Sequence, residues 1–198
     1  MVNFGIDLDG VCFDWQYFVD WHNNVYGTLF TKKDFMSEGF CERFDIPFRV
    51  LERRVLGMFK TVGSRNLTPA SGAVSSVREL SKMGKTLAVT ARPSWCHEDT
   101  LYWIRANFNG AFNGGVHFTR NHHFNNTSHL QTKLEVCLRE GVSYLIEDDL
   151  KYALPCAERG IRVILFDYYR DRSKLPDKVH PVYSWTEALD KIKELEIR

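Results

Sequence analysis

The sequence predicts an α/β fold: a parallel sheet covered by helices on both faces, with a small helical insertion after the first strand. Short apolar runs alternate with amphipathic helical patterns from about residue 70 to the end of the chain, the pattern of strand–helix–strand units. Polar and acidic residues stand at the ends of those runs, where parallel sheets present ligand sites. Residues 13–66 break the alternation, being aromatic-rich and helical in period.

Residues 2–6 read as a buried strand ending at Asp7. Residues 14–26 have a helical stripe of Trp15, Phe18, Val19 and Trp21. Residues 30–48 are irregular, with Phe35, Phe40, Phe44 and Pro47, and 48–60 form an amphipathic helix carrying Val50, Leu51, Val55 and Phe59. A helix over 71–83 (Val74, Val77, Leu80) ends at Gly84, and a strand follows over 86–90. The pattern predicts a helix over 93–108 with Pro93 near its first turn, then a strand over 116–119. A helix over 129–140 stops at Gly141, and 143–147, 149–159 and 161–166 continue as strand, helix and strand. Residues 184–195 close the chain as a helix, with Ser184 or Thr186 as its N-cap and Glu187 in its first turn. Residues 1–12 and 67–198 thus make a core domain, and 13–66 a helical insertion.

At 198 residues the chain can bury a substantial core. Twenty-six basic and 25 acidic side chains leave a net charge of +1, so no general basic field would hold a nucleic-acid backbone. Cys12, Cys41, Cys96, Cys137 and Cys156 are odd in number and form no C-x-x-C spacing; Cys137 and Cys156 read as buried thiols. A reducing, cytoplasmic compartment fits. Neither a secretory leader nor the ~18-residue apolar run of a membrane span is seen. The glycosylation-like triplets 66–68 and 126–128 are therefore chance matches.

The chemistry starts at Phe4-Gly5-Ile6-Asp7-Leu8-Asp9-Gly10-Val11. Strand side chains alternate, so Asp7 and Asp9 leave the carboxyl end on the same side. Two carboxylates this close repel, and a site that keeps both ionised holds a cation. Downstream, residues 85–89 end in Thr90-Ala91-Arg92-Pro93, Thr132-Lys133 opens a helix, and residues 143–146 end in Glu147-Asp148-Asp149. The order Asp-x-Asp, Thr, Lys, Glu-Asp resembles the haloacid dehalogenase-like (HAD) phosphohydrolase superfamily, and the resemblance runs from Asp7 to the C-terminal helix.

That resemblance implies a Rossmann-like core with a helical cap over the active site. Asp7 would be a nucleophile forming an aspartyl-phosphate, and Asp9 the acid and base for the leaving oxygen and the attacking water. Thr90 and Lys133 would hold the phosphate oxygens. Mg²⁺ would be held by Asp7, by the backbone carbonyl of Asp9, by Asp148, and by Glu147 directly or through a neighbour. Asp149 either joins the metal site or caps the helix that follows. Gly10 either lets the chain approach the phosphate or makes a tight turn.

Within the superfamily the chain is most similar to the deoxyribonucleotidase-type 5′-nucleotidases and their uncharacterised relatives. Residues 7–15, 67–74 and 183–185 carry this likeness. It implies a nucleoside monophosphate substrate and makes Trp15, Gly10, Ala91 and Arg92 the candidate substrate contacts. Trp15 either faces the base or belongs to the core, and Arg92 either orients substrate or is an exposed loop residue. Two departures stand out: Ala91 replaces the usual serine after Thr90, and Asp149 stands where those enzymes often have a basic residue.

His117, His122, His123 and His129 match no standard zinc spacing. Arg49, Arg53 and Arg54 either meet an anionic substrate or form a solvated helix face. A phospho-accepting receiver module would place its acceptor Asp after the acidic pair, the reverse of the order here. The remaining alternatives are a phosphatase for another small ester or for nucleic-acid 3′-ends, and a catalytically silent scaffold. The expected partner is a small phosphomonoester rather than a membrane or nucleic acid; a homodimer stays open.

Overall fold

Six short apolar segments pair in parallel, as their near-continuous hydrophobicity requires of strands covered on both faces. They are β1 (Val2–Ile6), β2 (Gly84–Thr90), β3 (Val116–Phe118), β4 (Tyr144–Glu147), β5 (Arg162–Phe166) and β6 (Val179–Val182), in the order β3-β2-β1-β4-β5-β6. The computed structural model describes residues 2–37, 39–121, 129–166 and 172–197. The strand order reverses direction between β1 and β4, which places a crevice at the carboxyl ends of these two central strands. Of these strands, sequence periodicity misses β6. Pro181 interrupts it, and proline is tolerated there because β6 is an edge strand.

The helices follow in chain order: α1 (Gln16–Tyr26), α2 (Lys32–Met36), α3 (Phe40–Arg43), α4 (Phe48–Val62), α5 (Ala73–Met83), α6 (His97–Phe108), α7 (Lys133–Arg139), α8 (Leu150–Glu158) and α9 (Trp185–Ile197). The irregular stretch expected over 30–48 contains the two short helices α2 and α3. Ser184 Oγ accepts the Glu187 amide at 3.2 Å and so caps α9.

Register sets the faces. Ile6 lies opposite Ala88 on one side and Ile146 on the other. These three belong to the buried cluster that also contains Phe18, Val19, Phe40, Met58 and Phe59 of the insertion. The insertion therefore packs on the sheet's own core rather than on a second one. Alternation sends Asp7, Val89 and Glu147 to the opposite face, whose cluster includes Val89, Val136, Cys137 and Cys156. All five cysteines are free thiols. Among the described residues no helix is long and apolar enough to cross a membrane.

Candidate active site

Strand register and one helix start bring four charged residues together. The Asp7 amide donates to the Ile146 carbonyl at 2.9 Å, which extends the β1–β4 ladder by one residue and sets Asp7 beside Glu147. Helix α7 covers that face and begins at Lys133, just after a capping box formed by Thr132 and Glu135. Lys133 is 2% exposed. Its ammonium lies 2.7 Å from Glu147 Oε2 and 3.0 Å from Asp7 Oδ1, with the Tyr152 ring 4.3 Å away. Glu147 Oε1 accepts the Asp148 and Asp149 amides at 3.2 Å each. Asp148 Oδ2 accepts the Trp15 indole N–H at 2.7 Å.

Three carboxylates thus share one lysine. Burial, and next the charge of Glu147, push the Asp7 carboxyl well up from its ordinary range. Burial pushes Glu147 up to about 8 against the pull of Lys133. Asp148 is likewise pushed up to about 8 by burial and by Asp7. Burial opposes the Lys133 charge, but Asp7 and Glu147 outweigh it and hold the ammonium ionised. Carboxylate oxygens of Asp7, Glu147 and Asp148 lie within 4.8 Å of one another. Asp7 Oδ1 is buried, with the Lys133 ammonium at 3.0 Å as its partner. Three crowded carboxyl groups offering hard oxygen donors around a single ammonium fit a divalent oxygen-seeking cation such as Mg²⁺.

Asp9 has a different neighbour. Arg92 Nε donates to both Asp9 oxygens at 3.0 Å and Nη2 donates to Oδ1 at 2.7 Å. Nη1 donates to Thr100 at 3.2 Å, and the guanidinium lies over the Phe59 and Trp103 rings at 5.2 and 5.5 Å. Arg92 is 2% exposed, which corrects the alternative of an exposed loop arginine: this side chain holds Asp9.

Asp7, Asp9, Trp15, Ala91, Arg92, Lys133, Glu147 and Asp148 all line one cavity of about 240 Å³. Thr90 does not line it. Its side chain shares the face of Ala88, away from Lys133, and its hydroxyl accepts the Arg92 amide at 3.3 Å. Gly10 has a left-handed φ of +79°, and a Cβ there would stand 1.9 Å from Asp148 Oδ2 and 2.6 Å from Trp15 Nε1. Both an approach and a turn therefore require the glycine, but the approach is to Asp148. Asp149 caps α8, its side chain accepting the Lys151 amide.

The opposite wall comes from the insertion. Phe35, Phe48, Leu51, Val55, Leu56 and Phe59 line it, with Glu52 among them. The apolar stripe of α4 predicts several of these residues; nothing in the sequence singles out Glu52, Tyr152 or Asn121, which also line the cavity. The arginines of α4 do not line it. Arg53 donates to the Arg49 carbonyl at 3.3 Å, and Arg54 sits 2.9 Å from His22 and over the Tyr26 ring. Among the described residues the histidines form no metal cluster; His117 contacts Arg139 at 3.1 Å. His122, His123 and the triplet 126–128 lie outside the described residues.

The three stretches that carry the nucleotidase likeness converge behind Asp7 and Asp9. Trp185 Nε1 donates to the Val11 carbonyl at 3.0 Å, and the Ala70 amide donates to the Cys12 carbonyl at 2.7 Å. They brace the loop that carries the carboxylates, and of these stretches the first alone also reaches the cavity, through Asp7, Asp9 and Trp15.

No family model matches the chain. A protein named as a nucleotidase from Clostridium acetobutylicum is 24% identical over 191 residues, covering 94% of this chain and 91% of that protein. The fold is that of HAD-superfamily hydrolases. A haloacid dehalogenase-like family protein from Streptococcus pneumoniae superposes with a TM-score of 0.62 at 14% identity, over 97% of this chain and 98% of that one. A HAD hydrolase from Bacillus subtilis, described with bound magnesium, gives 0.58 at 12% identity over 96% and 98%. One from Deinococcus radiodurans, described with bound phosphate and sodium, gives 0.59 at 12% over 97% and 95%.

Proposed function

We propose that the protein is a Mg²⁺-dependent phosphomonoesterase that passes the phosphoryl group through Asp7, acting on a nucleoside monophosphate. The observation that carries this reading is the group of buried Asp7, Lys133 and Glu147 with half-buried Asp148 at the carboxyl edge of the two central strands. An Asp7 oxygen attacks phosphorus and the ester P–O bond breaks, with a proton from Asp9 passing to the leaving oxygen. Water then attacks the aspartyl-phosphate, Asp9 takes its proton, and the bond from phosphorus to Asp7 breaks. As found, Asp9 accepts from Arg92 on both oxygens, so proton donation requires that pair to part. Lys133 stands beside Asp7 and neutralises charge that collects on the phosphoryl oxygens.

Asp7, Asp148 and Glu147 would hold Mg²⁺, with the Asp9 carbonyl as a further ligand. When bound, the ion neutralises the carboxylates and the phosphate so that the two anions can meet. The relatives described with magnesium and with phosphate support this ligand pair. The nucleotidase name of the Clostridium relative supports the substrate class, as does the apolar, aromatic insertion wall, which suits a flat uncharged leaving group.

The test is phosphate release with Mg²⁺ from nucleoside monophosphates, sugar phosphates and 3′-phosphorylated oligonucleotides, beside Asp7→Asn. The expected result is release from a (deoxy)nucleoside monophosphate, lost in Asp7→Asn and on EDTA treatment. Release only from other esters replaces the substrate and keeps the mechanism. Silence on every compound from folded protein overturns the reading in favour of a binding scaffold.

A further inference from the structure

We infer that Trp15 is a positioning residue for Asp148, fixing this carboxylate for the metal and tying it to the insertion. The inference rests on the metal-binding reading of Asp148 given above. An indole N–H is a donor only, and buried tryptophans spend it on whatever acceptor their packing offers. Trp103 and Trp185 donate to backbone carbonyls, those of Leu67 and Val11. Trp15, half-buried, instead donates to the Asp148 carboxyl, 133 residues away, at 2.7 Å.

Both sides of this bond are built. The Trp15 ring is held edge-on or tilted by Phe13, Phe18 and Phe35, at centroid distances of 5.8, 6.1 and 5.5 Å. Gly10 leaves the space, since a Cβ at that position would collide with both Asp148 Oδ2 and Trp15 Nε1. With Oδ2 tied, the Asp148 side chain is oriented toward Asp7 and Glu147 before any ion arrives. Partners that orient a ligand in this way typically change metal affinity by ~10–100-fold. Phe35 lies on α2, so a shift of the insertion is transmitted through the ring to Asp148.

The experiment measures Mg²⁺ affinity by titration calorimetry for the wild type, Trp15→Phe and Trp21→Phe, with thermal melts to establish folding. Trp21 packs against Phe18 in the same aromatic group and serves as the packing control. Trp15→Phe is expected to weaken Mg²⁺ binding by roughly tenfold or more, with Trp21→Phe binding as the wild type does. The Mg²⁺ concentration that gives half-maximal rate should rise in Trp15→Phe by the same factor as the dissociation constant. Equal affinity in Trp15→Phe, or an equal loss in Trp21→Phe, overturns the inference. Should Trp15→Phe not fold, Gly10→Ala presses on the same bond from the backbone side and must weaken Mg²⁺ binding for the inference to stand. A wild type that binds no Mg²⁺ overturns it too. A wild type that binds Mg²⁺ tightly yet hydrolyses no ester overturns the proposed function and leaves the role of Trp15 intact.

Discussion

The two walls of the cavity are built on opposite principles. The core wall puts its charged groups at strand ends and at the first residue of α7, where backbone register fixes them. Lys133, Asp7 and Glu147 are all nearly fully buried there, so their mutual pairing offsets a desolvation cost of several kcal/mol per ion. The insertion wall is a set of rings and aliphatic side chains on α2 and α4, held by non-directional apolar burial. The charged groups thus sit where backbone geometry is rigid, and the insertion reaches them through rings: Phe35 packs on Trp15 and Phe59 lies under Arg92.

The comparison can be broken most strongly at Lys133. Lys133→Met leaves three carboxylates without their cation and is expected to cost about 3–5 kcal/mol of stability, read from denaturant midpoints. Mg²⁺ should recover much of that loss if the ion takes over the charge balance. An unchanged midpoint would show that charge pairing does not hold the core wall together.

A smaller effect is expected at Arg92. Arg92→Lys keeps the charge and loses the fork that grips both Asp9 oxygens. The expected fall in kcat is up to about 10²-fold, within the range that general acid–base catalysis supplies, with KM nearly unchanged. A variant that raises KM alone would instead place Arg92 on the substrate.

The smallest effect lies in the insertion. Burial, and next Arg54, push His22 down to about 4 from an ordinary value of 6.5. Its folded form is neutral where the unfolded chain binds a proton, so its contribution to stability is present above pH 6.5 and is lost as pH falls toward 4. Thermal melts should therefore drop between pH 7 and pH 5, and His22→Gln should flatten that part of the profile. If the two profiles run parallel, the titration of His22 does not set the acid sensitivity of the insertion.

How much of this was legible in the sequence follows from where each interaction is encoded. Asp7, Lys133, Glu147 and Asp148 were legible because each stands next to an apolar run whose period reveals the strand or helix that carries it. The sheet was legible for the same reason, except β6, where Pro181 breaks the pattern that edge strands tolerate. The Arg92–Asp9 pair was not legible because the partners lie 83 residues apart and loop residues give no period to show which way they point. The need for a glycine at position 10 depends on Asp148 and Trp15 together, contacts that exist only after folding. Thr90 was placed in the site by its motif, but strand alternation turns it to the other face.

The most direct test of the central claim is to look for the covalent intermediate. Asp9→Asn should slow hydrolysis of the aspartyl-phosphate, so protein quenched in acid after mixing with substrate and Mg²⁺ can be digested and mapped by mass spectrometry. The account predicts one phosphoryl group, on the peptide containing Asp7, and none in the Asp7→Asn variant. Turnover without any phosphorylated peptide, or a phosphoryl group on another residue, would contradict it.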